Sequence, residues 1–124
     1  MTHYAETHPR ARVEHRCLMC GRTIMPGETY RRAAGLDRTS AWTWKECAHC
    51  AAFVRVAWRR AWQNDGYDSD LLAEFQPRSV AEAAAYVRWG RKWRRIDGSL
   101  YPVPRVIEQE DSHGVRHPVG LEAS

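Results

Sequence analysis

The four cysteines of the 124-residue chain fall as C-x2-C-x26-C-x2-C, with Cys17 and Cys20 in "CLMCG" and Cys47 and Cys50 in "KECAHC". Any fold of this chain has to account for two close pairs joined by a segment long enough to return on itself. Each pair can turn two sulfurs towards one point, and two pairs make a tetrahedron that suits zinc, with sulfur at about 2.3 Å. Gly21 directly follows the first pair. A glycine there permits a left-handed backbone step that aims N–H groups at the thiolates. Cys47 and Cys50 are expected in the first turn of a helix, where the positive end of the dipole favours thiolate. Between the pairs, "MPG" at Met25–Gly27 reads as a turn, and "TYRRA" and "TSAWTWK" read as two short strands joined by "AGLDR".

Other uses of four cysteines fit less well. Two C-x-x-C disulfides would be strained and would suit a secreted protein. The polar N-terminus "MTHYAETHPRARVEHR" has no apolar stretch of the signal-peptide kind, and no run of about 18 apolar residues exists to span a membrane. An intracellular, cytoplasmic protein is therefore expected. A thioredoxin-like dithiol needs one C-x-x-C beside a βαβ pattern, not two pairs sharing a hairpin. An iron–sulfur cluster stays open to four thiolates, but a knuckle followed by a helix favours zinc.

The order of these pieces resembles the treble-clef zinc fingers: a knuckle "CLMCG", a hairpin, and a helix beginning within "CAHC". The phrase "CGRTIMPGETY" is similar to the C-G-x-x-I-x-x-G-E-x-Y opening of small zinc-finger proteins of bacteriophages and actinobacteria. The resemblance covers roughly residues 15–63. It implies one structural Zn2+ held by Cys17, Cys20, Cys47 and Cys50, with Cys47 where many relatives place a histidine. His49, inside the second pair, is expected to point away from the metal.

Four thiolates fill a tetrahedral zinc and leave no open position for water, so a catalytic metal is not expected. The deaminase signature, H-x-E followed by P-C-x-x-C, is absent. An HNH-type nuclease shares a treble-clef core but needs a histidine near the hairpin, and none lies between Cys20 and Cys47. No Ser-His-Asp set, convincing carboxylate pair or phosphate loop is found. Asp65, Asp68 and Asp70 lack the calcium-loop order and are better explained by capping. His113 and His117, beside Gly114 and Pro118, make a poor second metal site.

The rest of the chain reads as helices and a variable end. "CAHCAAFVRVAWRRAWQ" places Cys50, Val54, Ala57, Trp58 and Ala61 at helical spacing, with "NDG" at Asn64–Gly66 as a stop. "DSDLLAEF" reads as a short helix capped by Asp68 or Ser69. "SVAE" at Ser79–Glu82 is a capping box that opens a helix running to about Ile96. Beyond it, "YPVPRVIEQE" and "VRHPV" flank "DSHG" as a hairpin or a loose acidic tail. The expected architecture is a small single-domain α+β protein. It comprises a flexible tail at 1–14, a four-cysteine treble-clef module at 15–63, a helical extension at 64–98 and the variable end at 99–124. Trp42, Trp44, Trp58 and Trp62 are expected to pack around the first helix.

The net charge is +4, and it is unevenly spread. Residues 77–96 carry six Arg/Lys against one Glu, whereas residues 97–124 carry two Arg against five acids. On a helix, Arg88, Arg91, Lys92 and Arg95 would share one side, with Arg94 nearby. The expected function is a non-enzymatic regulatory or accessory protein that binds DNA or RNA through these residues, with Arg55, Arg59 and Arg60 extending the surface. Two plainer readings stand beside it. One is a solvated helix end, whose cations suit the helix dipole and pair with Glu108–Asp111. The other is a protein-binding adaptor or inhibitor of phage origin that caps a host protein through a tryptophan-rich surface.

Overall fold

A computed structural model describes residues 2–60 and 67–123, without the side chains of Thr2, His3, Arg59 and Arg60. The expected Asn64–Gly66 stop, Ala61, Trp62 and Asp65 lie outside the described residues. The protein is a small α+β chain with short helices, antiparallel sheets and a cluster of four cysteines. It divides into two compact units, residues 1–51 and 52–124.

The first unit is built on a three-stranded sheet. Strands β1 (Thr2–Thr7), β4 (Tyr30–Asp37) and β5 (Ser40–Cys47) pair in the order β1-β4-β5, all antiparallel. A loose tail is expected over residues 1–14, but Thr2–Thr7 pairs along β4 as a strand. Beyond β1, the Pro9 carbonyl accepts from Tyr30 N–H, and Ala11 exchanges backbone bonds with Gly27 and Glu28. These are main-chain bonds, which leave no apolar alternation in the sequence to reveal them. Arg31 on β4 fastens the sheet by reaching Glu6 and the Tyr4 hydroxyl on β1 and Glu46 on β5. The β4–β5 connection is tighter than expected: Arg38 and Thr39 alone join the strands, with Arg38 at φ 50. Strands β2 (His15–Arg16) and β3 (Thr23–Ile24) form a separate two-residue ladder that frames the first cysteine pair.

Register explains the tryptophans of β5. Residues opposite each other share a face, so Tyr4, Gly35 and Trp42 line up across three strands. A Cβ on Gly35 would lie 2.2 Å from the Trp42 ring, so the indole rests directly on the glycine backbone. Trp42 remains 38% exposed beside Tyr4, not sealed in a core as expected. Trp44 is half-buried and donates its indole N–H to Glu46.

Helix α1 (Ala48–Arg60) contains the boundary between the units. In the second unit its Phe53 meets Phe75 and Trp93 edge-on, at centroid distances of 4.9 and 5.9 Å. Leu71 and Leu72 of helix α2 (Ser69–Ala73) and Ala85 of helix α3 (Val80–Gly90) are buried as well. Trp58 was expected in the core but is 37% exposed against Tyr67. Asp68 caps α2 through the Asp70 N–H, and Ser79 caps α3 through the Glu82 N–H. The Glu82 carboxylate reaches back to the Arg78 N–H and is itself buried. Strands β6 (Val106–Glu110) and β7 (Arg116–Leu121) form a hairpin, so the end of the chain is not loose there.

The third helix ends at Gly90, short of the expected Ile96. Lys92 adopts φ 58 and Trp93 φ 62. The Lys92 N–H bonds the Trp89 carbonyl at 2.9 Å, and the Trp93 N–H bonds the Arg88 carbonyl at 2.7 Å. These are the two bonds of a Schellman stop, made here without glycine. Ending the helix there turns Trp93 inward, where it is fully buried. Burial of that indole offsets the strain of two left-handed residues. Among the described residues, no helix is long and apolar enough to cross a membrane.

Candidate metal centre

The knuckle forms because the chain after Cys17 turns within four residues. The Gly21 N–H bonds the Cys17 carbonyl at 2.8 Å, with Gly21 at φ 81, and the Cys17 N–H bonds the Arg22 carbonyl at 2.9 Å. A side chain at Gly21 would strain that turn. Met19 points into the core, whereas Leu18 is exposed. The Leu18 N–H bonds the Lys45 carbonyl at 2.9 Å and so ties the knuckle to β5. The second pair straddles a strand–helix junction: Cys47 is the last residue of β5 and Cys50 lies in the first turn of α1.

The result is a cluster in which all four sulfurs lie within 4.8 Å of one another. None is in a disulfide; Cys17, Cys47 and Cys50 are buried and Cys20 half-buried. A tetrahedral zinc with sulfur at about 2.3 Å needs edges of about 3.8 Å, which fall within that 4.8 Å bound. The Cys47 N–H donates to the Cys17 sulfur at 3.2 Å and the Cys50 N–H to the Cys47 sulfur at 3.4 Å. Backbone donors aimed at sulfur stabilise the thiolate form. Hydrogen bonds from Cys20, then Cys47 and Cys50, hold the Cys17 thiol far below its ordinary range. Burial, helped by the neighbouring sulfurs, pushes Cys50 far up. Four thiolates cannot coexist in so small a volume without a cation among them. The donor set therefore fits a metal dication, and no other metal-ligating cluster occurs among the described residues.

Behind the sulfurs lies a polar network that spacing alone does not reveal. Arg22 is only 3% exposed. Its guanidinium holds Glu28 with two bonds, at 3.0 and 2.8 Å, and meets His49 Nδ1 at 3.2 Å. His49 is itself buried, and its influence on Cys47 acts to lower that thiol's pKa. Burial acts to lower the Arg22 pKa. The Glu28 bonds and the charges of Cys47 and Cys20 outweigh it, and the pKa is raised. Arg22 and Glu28 both stand in "CGRTIMPGETY", six residues apart across the turn at Met25–Gly27. A basic residue just after the knuckle and an acid just after the turn were the available signal.

The basic residues of the second unit are differently placed from expectation. Because α3 ends at Gly90, Arg88, Arg91, Lys92 and Arg95 do not line one helix face. Arg88 and Arg95 both stack on the Tyr101 ring, at 4.3 and 4.8 Å. Arg94 donates to the Gly98 carbonyl, and Arg95 to the Ser99 hydroxyl and the Leu100 carbonyl. These side chains brace the turn from Arg94 to Leu100. Arg91 and Lys92 are exposed. The acids after residue 107 pair elsewhere: Glu108 with Arg55 and Arg116, Asp111 with His117. Arg55 is thus engaged, and the side chains of Arg59 and Arg60 lie outside the described residues.

Comparison with protein-family models, with characterised proteins and with solved structures returns no match.

Proposed function

We propose that this protein is a non-enzymatic binding module organised by one structural Zn2+, and that its target is nucleic acid. The four-sulfur cluster carries the proposal. Cys17, Cys20, Cys47 and Cys50 would hold the ion and fill its coordination, leaving no position for a substrate or an activated water. The ion would supply cross-linking: it joins the knuckle to the β5–α1 junction. Metal binding of this kind contributes about 10–16 kcal/mol in small fingers. The sequence of knuckle, β4–β5 hairpin and α1 is the order of a treble clef, and we assign the first unit to that type.

The target is argued from charge. In the first unit Arg22 pairs with Glu28, and Arg31 with Glu6 and Glu46. Among the described residues, Arg10, Arg12, Arg16, Arg32, Arg38 and Lys45 have no ion-pair partner. The unit's other acids are Glu14 and Asp37 alone. Such an excess is suited to a polyanion. The test is fluorescence anisotropy of the zinc-loaded protein with labelled single-stranded and duplex oligonucleotides over a salt series. Binding that weakens steeply with salt is expected; no binding at low salt refutes the nucleic-acid reading.

A protein-binding adaptor is the second reading, favoured by the exposed pair Tyr4 and Trp42 on one sheet face. Its mark is a stoichiometric protein complex that survives high salt and is lost in Trp42→Ala.

A further inference from the structure

The nucleic-acid reading leaves open where the chain is held, and the sheet of the first unit offers a specific place. On β4 and β5, Arg32 stands directly opposite Lys45. Like charges at opposed positions of a sheet destabilise it, so the pairing is a cost that the fold carries. No acid relieves it: among the described residues neither side chain has an ion pair, and Lys45 bonds only His15 Nδ1, at 3.1 Å. A third cation joins them from another part of the sequence. Arg16, on β2, enters the same groove of about 420 Å³, which is lined by Arg16, Leu18, Arg32, Thr43 and Lys45. Ala34, which faces Thr43 across the strands, continues this face with a small side chain. Room is thereby left for a polymer backbone to lie close.

We infer that this groove is the phosphate-backbone contact of the protein, with Arg16, Arg32 and Lys45 neutralising successive phosphates of a bound nucleic acid. The inference rests on the nucleic-acid reading above and moves its centre from Arg88–Arg95 to the sheet. The three cations sit at sequence positions 16, 32 and 45, and only strand register and the knuckle bring them together. The knuckle places Arg16 beside Lys45 because the Leu18 N–H is bonded to the Lys45 carbonyl. The cysteine cluster that holds the knuckle therefore also assembles the groove. Nucleic acid fits better than an acidic protein surface. The groove offers cations with small neighbours and one exposed leucine, and not the large aromatic anchors that protein interfaces favour.

The test compares zinc-loaded wild type, the double variant Arg32→Glu with Lys45→Glu, and the double variant Arg91→Glu with Lys92→Glu. The probes are a single-stranded and a duplex oligonucleotide, with circular dichroism and zinc content as controls for folding. The sheet variant is expected to lose at least tenfold in affinity while keeping its spectrum and its zinc. Milder substitutions, Arg32→Gln with Lys45→Gln, should lower the slope of log K against log salt by about 1.4 on single strands and about 1.8 on duplex. These serve if the charge reversal does not fold. The Arg91/Lys92 variant should bind within threefold of wild type. If wild type binds and the sheet variants bind equally well, the groove is wrong and the nucleic-acid reading stands. If wild type binds neither oligonucleotide, or binds only anionic vesicles, both fall.

Discussion

Replacing Arg22 by methionine probes the network behind the sulfurs with the least change of shape. The substitution removes two charge-assisted bonds to Glu28, at 3.0 and 2.8 Å, together with weaker contacts to the Thr23 carbonyl at 3.0 Å and His49 Nδ1 at 3.2 Å, from a side chain that is almost wholly buried. Such bonds are worth about 1.5–3 kcal/mol each. Part of that loss is returned, because among the described residues the buried Arg22 Nε has no hydrogen-bond partner, and an orphaned N–H costs about 1–3 kcal/mol. Glu28 keeps the Met25 N–H at 2.7 Å and some solvent, so it is not stranded. The expected net loss is about 2–4 kcal/mol, in line with breaking one side of a buried pair. Arg22→Lys should recover less than half of it, because an ammonium cannot make the two-pronged contact. The assay is guanidinium denaturation at fixed excess zinc, in a double-mutant cycle with Glu28→Gln. A coupling of at least about 2 kcal/mol is expected. An Arg22→Met variant within about 0.5 kcal/mol of wild type, or a coupling near zero, refutes the reasoning.

Three further outcomes follow from the same structure. Burial pushes Glu28 up, but the Arg22 guanidinium and the Met25 N–H outweigh it and hold its pKa below the ordinary 4.5. Its stabilisation is therefore complete above about pH 4.5 and is lost as pH falls through the lowered value. Wild type and Glu28→Gln should converge in stability on acidification, and a gap that widens contradicts this. Lys92→Gly should raise stability by about 0.5–1 kcal/mol in thermal unfolding, since φ 58 strains a lysine and the Schellman bonds are main-chain; a loss would mean the lysine side chain holds the stop. Phe53→Ala should cost about 3–5 kcal/mol, because the ring joins Phe75 and Trp93 in a core with few other large residues; a loss under about 1 kcal/mol in denaturant unfolding would count against that packing.

What could be read from the residues was local. Two C-x-x-C pairs with Gly21 imply a shared corner, and the four sulfurs do converge. Asp68 and Ser79 were legible as caps because an N-cap is defined by its own side chain and a neighbouring N–H. Register was not legible. That Arg32 faces Lys45, that Trp42 rests on Gly35, and that Thr2–Thr7 pairs with β4 depend on backbone partners distant in sequence. The stop at Gly90 was missed for a different reason. Glycine advertises a left-handed stop, and here Lys92 makes one because Trp93 gains burial by it. Extending the helix to Ile96 followed propensity where tertiary packing decided.

The central claim is that one zinc ion, held by four thiolates, joins the knuckle to the β5–α1 junction. X-ray absorption at the zinc edge on protein purified without added metal, with the metal content of the same sample determined in parallel, tests it most directly. The account predicts about one zinc per chain with four sulfur neighbours at about 2.3 Å. Iron in its place, a shell containing nitrogen or oxygen, or a folded chain with no bound metal would contradict it.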